Sequence, residues 1–551
     1  MNKSTLFLTL TIFLLLSGWL FINDTEIKSA STSGADSEIL NTIENNWYTE
    51  SAAAVASTNS QIQRLATQAG SAKNIILFVG DGMGVSTVTA ARILDGQQKG
   101  GLGEENSLSF DRFPFVGLSK TYNVDAQTPD SAGTMTAMIS GIKTDAGTLG
   151  VDEDVIRGDC ASIAGNQVFT ALELAEIAGL STGIVTTARV THATPAATYA
   201  KSPERDWEDN STLPAEALAA GCEDIASQLI NFKANLQSKY SSAAIDGIEV
   251  VMGGGRRHFL PNLESANSSD AESEIEGDRT DGRNLVEEWA SLNPSGVYID
   301  SQQGFDKLDT SSTEQLFALF NESHMRYAAD RHNDIAGEPS LSEMTVKAIE
   351  ILDNNPAGFL LVVESGRIDH GHHAGSAYAA LEDTIEFSRA VQSAVDKTNT
   401  EETLIIVTAD HSHVFTMAGY PKRGNPILGK VINVGSDKPA LAADGMPYTT
   451  LGYANGLGYR DLLDQTNADH SYHNGPLAGR QDLSKVDTET AGFHQEALVP
   501  RKSETHGGED VAIYAQGPGA HLVTGTNEQS IIFHVINYAG NLFERAAAAL
   551  Q

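Results

Sequence analysis

Phe359-Leu360-Leu361-Val362-Val363 runs without a break into Glu364-Ser365-Gly366-Arg367-Ile368-Asp369-His370-Gly371-His372-His373. A short apolar run bounded by polar residues and glycine reads as a fully buried parallel strand. In open α/β sheets ligands gather just beyond the carboxyl ends of such strands. Here that position carries two carboxylates and three imidazoles, the donor types of a metal site. A solvated, His-rich turn is the plainer alternative for the segment taken alone.

The same design recurs twice. Asn74-Ile75-Ile76-Leu77-Phe78-Val79 leads into Gly80-Asp81-Gly82-Met83-Gly84, and Thr403-Leu404-Ile405-Ile406-Val407-Thr408 leads into Ala409-Asp410-His411-Ser412-His413. A buried carboxylate is costly unless it is paired or bound to a metal, so three strands ending in acids point to a shared cation cluster. Further strands are expected at 180–187, 247–252 and 510–514. Helices are expected at 170–178, 341–352 and 377–396, where apolar residues recur at three- and four-residue spacing. This alternation predicts an α/β fold with a central, mostly parallel sheet flanked by helices on both faces.

Between Phe415 and Ser503 the periodicity gives way to Gly, Pro, Asn and Asp, as in Gly419-Tyr420-Pro421-Lys422-Arg423-Gly424-Asn425-Pro426. That stretch reads as a loop-rich subdomain inserted between core strands. The expected organisation is therefore an α/β core at 71–414, an insertion at 415–503 and a return to the core at 504–551. A small, polar N-terminal arm is expected at 31–70.

The first residues, Met1-Asn2-Lys3 followed by the apolar Leu6 to Leu16, have the pattern of an export signal, with cleavage expected near Ala30. A signal peptide at 1–30 implies a periplasmic or secreted protein, with membrane association only if the segment is retained. Cys160 and Cys222 fit one disulfide in an oxidising compartment, worth about 4 kcal/mol by loop entropy, and free thiols are the alternative. With 36 Lys and Arg against 72 Asp and Glu, the formal net charge is −36. That balance argues against a nucleic-acid partner, and anion affinity must come from local cations in a pocket.

Thr128-Pro129-Asp130-Ser131-Ala132-Gly133-Thr134 places Pro129 and Asp130 where a helix would begin. Ser131 and the amides after it then lie at the positive end of that helix, a setting suited to an anion and a nucleophile. Simple capping by Asp130 and Ser131 is the alternative. No Gly-x-Ser-x-Gly pattern surrounds Ser131, so its activation is expected from a metal rather than from a paired base.

Together, Asp81, Asp130-Ser131-Ala132, Glu364 to His373, Asp410-His411-Ser412-His413 and Thr505-His506-Gly507-Gly508-Glu509-Asp510 resemble the alkaline phosphatases in order and approximate spacing. Thr191-His192-Ala193-Thr194-Pro195 and Arg205-Asp206-Trp207 resemble the animal branch of that family, with His192 and His370 where the enterobacterial pattern has Asp and Lys.

The resemblance implies a three-layer sandwich with a crown-like subdomain at 415–503, usually in a homodimer. It implies one zinc held by Asp369, His373 and His506, and a second held by Asp81, Asp410 and His411 beside Ser131. Magnesium is implied at Asp81, Thr194 and Glu364. Mixed imidazole and carboxylate donors suit zinc, and all-oxygen donors suit magnesium. His413 is expected to orient a ligand carboxylate, and His192 to act beyond the metal's direct ligands. His370 and His372 are expected to tune charge or fill space.

The implied reaction is hydrolysis of small phosphomonoesters through a phosphoserine at Ser131, with Arg205 gripping phosphate. The calcium-type site of animal relatives is doubtful here, because Asn321 stands where a carboxylate is expected. The triplets at Asn210, Asn267 and Asn321 are glycosylation acceptors only where the source glycosylates proteins. Two other readings are a phosphodiesterase of the same superfamily and a secreted metal- or phosphate-binding protein without turnover.

Overall fold

The computed structural model describes residues 72–551 except residue 478, together with six helical positions between 49 and 63. The expected leader and most of the expected N-terminal arm lie outside the described residues.

Three apolar runs form the centre of the molecule as β1 (Asn74–Gly80), β7 (Phe359–Ser365) and β8 (Thr403–Ala409), and every residue in them is buried. They join β2 (Phe115–Lys120), β3 (Ser181–Arg189), β4 (Val250–Gly254), β5 (Val297–Ile299) and β6 (Leu316–Leu319). With Val511–Gln516 and Gly525–Glu528 they make a ten-stranded sheet. Its order is Gly525–Glu528, β2, Val511–Gln516, β8, β1, β7, β3, β4, β6, β5. Val511–Gln516 runs antiparallel to both its neighbours, and every other pairing is parallel.

Burial on both faces follows from side chains alternating across the sheet. Ile75, Leu77 and Val79 pack with the helices Ser131–Ser140, Ala171–Ile177, Ile225–Lys239 and Ile531–Gly540. Ile76 and Phe78 face the other way, onto Val85–Gln98, Leu341–Leu352 and Ala377–Lys397. The result is the three-layer α/β arrangement read from the alternation of elements. All six expected strands and all three expected helices form, with ends shifted by up to three residues.

The elements not foreseen have weaker patterns. In β2 buried and exposed residues alternate around Gly117, so no continuous apolar run marks it. The acid-bearing segment after β7 is a short helix, Arg367–His373, rather than a loop. Its spacing puts Asp369 and His373 one turn apart on a single face.

Between residues 415 and 503 a small sheet joins Phe415–Met417, Leu451–Gly456 and Ala497–Pro500, and Arg460–Asp461 pairs with Phe493–His494. Most of the remainder is turns and irregular loops. Cys160 and Cys222 form a disulfide that closes 62 residues and packs beside Trp207, Leu213 and Ala217. By loop entropy it contributes about 4 kcal/mol.

Candidate active site

Register brings the strand-end acids together. Gly80 lies opposite Ser365 on one side and Ala409 on the other, so Asp81, Asp410 and the turn after β7 leave the sheet at one level. Gly82 adopts φ +68°, donates its amide to Asp410 Oδ1 at 3.0 Å and sits under the His413 ring. A Cβ there would come within 2.3 Å of His413 Nε2, so the turn requires glycine on both counts.

Asp369 and His373 from the short helix meet His506 from the C-terminal part of the chain. Asp369 Oδ1 lies 3.3 Å from His373 Nε2 and 3.4 Å from His506 Nε2, and the two imidazole nitrogens are 3.1 Å apart. Donors about 2.0–2.1 Å from a tetrahedral ion lie about 3.3 Å from one another, so this triangle has the right size for zinc. Burial holds the His373 imidazole at about 4, which keeps it neutral as a ligand must be. Burial pushes the Asp369 carboxyl up, but His373 and His413 more than offset it, and the group stays well below its ordinary range.

A second cage lies beside it. His411 Nε2 is 3.3 Å from both Asp81 Oδ1 and Asp410 Oδ2, and Ser131 Oγ stands 3.1 Å from the same nitrogen and 3.5 Å from Asp81 Oδ1. These edges again match a tetrahedral ion, with the serine oxygen at the fourth corner. The 3.1 Å contact puts the His411 imidazole directly beside the hydroxyl, where the resemblance had placed it. Ser131 opens the helix Ser131–Ser140, and Asp130 caps it by accepting from the Gly133 amide at 3.2 Å. The expected anion-favouring helix start is therefore real, and the capping reading holds together with it.

The third group shows the clearest need for a cation. Asp81, His192 and Glu364 offer donor atoms within 4.8 Å of one another, and Thr194 lies close enough to Glu364 to favour its ionised form. Asp81 Oδ2, Glu364 Oε1, Thr194 Oγ1 and His192 Nδ1 are all buried without a hydrogen-bond partner. Such orphans are expensive unless something absent from the chain satisfies them. Burial and then Asp410 raise Asp81 well above the usual carboxylate range, and burial lifts Glu364 to about 7. Acids this reluctant to ionise fit sites whose charge is balanced by metal ions.

Arg205 projects toward the same centre. Its Nη1 donates to Asp130 Oδ2 at 2.9 Å and its Nη2 lies 3.1 Å from His192 Nε2, leaving further N–H groups for a ligand. Three residues later, Glu208 accepts from Arg189 Nε and Nη2 at 2.8 and 2.6 Å and from Thr191 Oγ1 at 2.6 Å. Glu208 thus fastens the Arg205 loop to the end of β3, from which His192 and Thr194 follow. Burial opposes ionisation of Glu208, yet Arg189 and His258 hold its carboxyl well below the ordinary value.

Several contributors escaped the sequence reading. Glu504 is buried, and its Oε2 lies 2.6 Å from His413 Nδ1, while its backbone carbonyl lies 2.6 Å from His373 Nδ1. Its position two residues before His506 was the available signal. His413 reaches Asp369 Oδ1 with its other nitrogen at 2.8 Å, the orienting geometry expected of it. His324 packs against both His192 and His370, with ring centroids 5.3 and 4.0 Å away, and those two rings also meet at 5.5 Å. His372 bridges Thr87 Oγ1 and Tyr453 OH at 2.9 and 2.8 Å, away from the cages. At the position doubted for calcium, Asn321 Oδ1 accepts from the Ser323 amide, and the nearby Asp270 and Glu276 pair with Arg256.

Comparison with known proteins is consistent across sequence and fold. The family model for alkaline phosphatase matches residues 72–542. The tissue-nonspecific isozyme of alkaline phosphatase from Homo sapiens is 44% identical over 483 residues, covering 87% of this chain and 85% of that protein. Alkaline phosphatase from Gadus morhua is 44% identical over 470 residues, covering 85% and 91% respectively. Among solved structures, the Thermus thermophilus enzyme superposes with a TM-score of 0.58 at 22% identity, over 88% of this chain and 97% of its own. The enzyme from the Antarctic bacterium TAB5 gives 0.55 at 20% identity, over 86% and 98%. At those identities the structural likeness speaks for the fold alone.

Proposed function

The chain belongs to the alkaline phosphatase family and hydrolyses phosphate monoesters, and from that premise we propose that the reaction runs through a phosphoserine at Ser131. The observation that carries this reading is the place of Ser131 Oγ at the open corner of the cage made by Asp81, Asp410 and His411. In this reading Asp81, Asp410 and His411 hold one zinc, and Asp369, His373 and His506 hold a second. Asp81, Thr194 and Glu364 hold magnesium. When bound, such ions supply positive charge at the entering and departing oxygens and lower the pKa of water.

The chain's own groups account for the rest. Arg205 offers a planar fork to two nonbridging phosphate oxygens, and Asp130 and His192 keep that fork from swinging away. Ser131 Oγ, its proton lost to solvent, bonds to phosphorus while the bond from phosphorus to the alcohol oxygen breaks. That oxygen departs on the opposite side, toward His373 and His506, and takes up a proton. In the second half, water gives up a proton and adds to phosphorus from the vacated side, the Ser131 Oγ–phosphorus bond breaks, Ser131 Oγ takes a proton back, and inorganic phosphate is released.

The same reading has the enzyme exported, supported by the apolar leader and by a disulfide that needs an oxidising compartment. It also has two identical subunits meeting through the crown-like 415–503 segment. The exposed apolar side chains Tyr420, Val434, Leu441 and Leu463 support such a surface.

The test is purified enzyme on p-nitrophenyl phosphate and on the bis-ester, with and without chelator, beside Ser131→Ala. Chelator-sensitive hydrolysis that favours the monoester is expected. Ser131→Ala should lose at least about 10³-fold in turnover while keeping its metal content. Full turnover in that variant would sink the covalent route.

A further inference from the structure

In-line displacement fixes where the leaving group goes, and this inference rests on that part of the proposed reaction. The His506 ring stacks on His411 with centroids 3.6 Å apart, and His373 Nε2 is 3.1 Å from His506 Nε2. The contacts run from Ser131 through His411 to His506 and His373, the residues toward which the proposed reaction sends the leaving oxygen. A hollow of about 680 Å³ opens there, bounded by Thr128, Pro129, His373, His506 and residues 500–505. It is a shallow depression open to solvent, with more room than one phosphoryl group needs.

The charge of this hollow runs against the charge of the chain. Arg501 and Lys502 line it and are exposed, and neither forms an ion pair among the described residues. The one acid in its wall, Glu504, is 1% exposed and turned inward to His413 Nδ1 and the Val414 amide. Two uncompensated positive groups thus stand at the leaving-group side of a protein with a formal net charge of −36. A neutral alcohol gains nothing from them. An alcohol that carries its own negative charge gains two screened ion pairs and a local field that draws it to the mouth.

We propose that Arg501 and Lys502 form a subsite for an anionic leaving group, so that the preferred substrates are phosphomonoesters bearing a second phosphate or a carboxylate on the alcohol. The subsite adds no chemical step, because it holds the alcohol while its oxygen leaves phosphorus.

Matched esters test this. Glycerol 3-phosphate and 3-phosphoglycerate differ by a carboxylate, and fructose 6-phosphate and fructose 1,6-bisphosphate differ by a phosphate. The wild-type enzyme should favour the charged member of each pair in kcat/KM. Arg501→Gln with Lys502→Gln should lower that preference about tenfold, the scale of two exposed ion pairs, whereas Arg501→Lys with Lys502→Arg should keep it. The preference should also shrink as salt is raised. A response to one pair only identifies which anion the subsite holds. An equal preference in the wild-type and neutralised enzymes overturns the subsite and leaves the serine mechanism standing. Undiminished hydrolysis of 3-phosphoglycerate by Ser131→Ala overturns the underlying reaction instead.

Discussion

His413 Nε2 lies 2.8 Å from Asp369 Oδ1, while the other nitrogen of the ring is held 2.6 Å from Glu504 Oε2. Burial opposes the charged ring, but the two carboxylates overcome it and push the imidazole up to about 10. Asp369 is thereby fixed in the orientation that closes the triangle with His373 and His506. His413→Ala should weaken metal affinity about 10- to 100-fold, as loss of an orienting partner does elsewhere. Chelator competition measures this, and an affinity equal to that of the wild-type enzyme would remove His413 from the role.

Glu208 offers a different handle, because it touches neither metal cage nor phosphate. Its carboxylate ties the Arg205 loop to Arg189 and Thr191. Hydrogen bonds between charged partners contribute about 1.5–3 kcal/mol each, so Glu208→Gln should loosen Arg205 and raise the inhibition constant of inorganic phosphate by about tenfold or more. Melting temperature and the phosphate constant should be measured together. A lower melting temperature with an unchanged phosphate constant would make Glu208 purely structural.

Far from the site, Glu176 and Glu249 share Thr182 at the opposite end of β3. Glu176 accepts from Thr182 Oγ1 and the Gly247 amide, and Glu249 accepts from the Thr182 amide. Burial lifts Glu176 from 4.5 to about 8. The folded state therefore keeps a proton that the unfolded chain releases near its ordinary value. Its contribution to stability is complete below about 4.5 and lost as pH rises to about 8. The melting-temperature advantage of the wild-type enzyme over Glu176→Gln should shrink across that interval. A difference that stays constant with pH would place the proton elsewhere.

Much of this architecture was legible because the central strands are buried on both faces. Continuous runs such as Asn74–Val79 and Thr403–Thr408 need no alternation to be recognised, and their terminal acids name the site. The short helix Arg367–His373 was less visible, since its three histidines and Gly371 are ordinary loop residues. Tertiary packing decides it: Gly371 lies so close to Ala380 that a Cβ would come within 2.6 Å of that backbone nitrogen. The only sequence signal for Glu504 is its place two residues before His506, and Glu208 carries no local pattern. Their roles come from partners 91 and 19 residues away, and such contacts exist only in the folded chain.

The pairing of Gly80 with Ser365 and Ala409 has a further consequence. The distances between the acids are ruled by hydrogen-bond ladders that begin several residues deeper in the sheet. One residue added to β1 would carry Asp81 about 3.3 Å along the strand and turn its side chain to the other face. One aliphatic residue can thus replace another inside these strands without moving the acids, whereas a change of length moves them. Attempts to re-engineer this centre should vary side chains and leave the count of residues before each acid untouched.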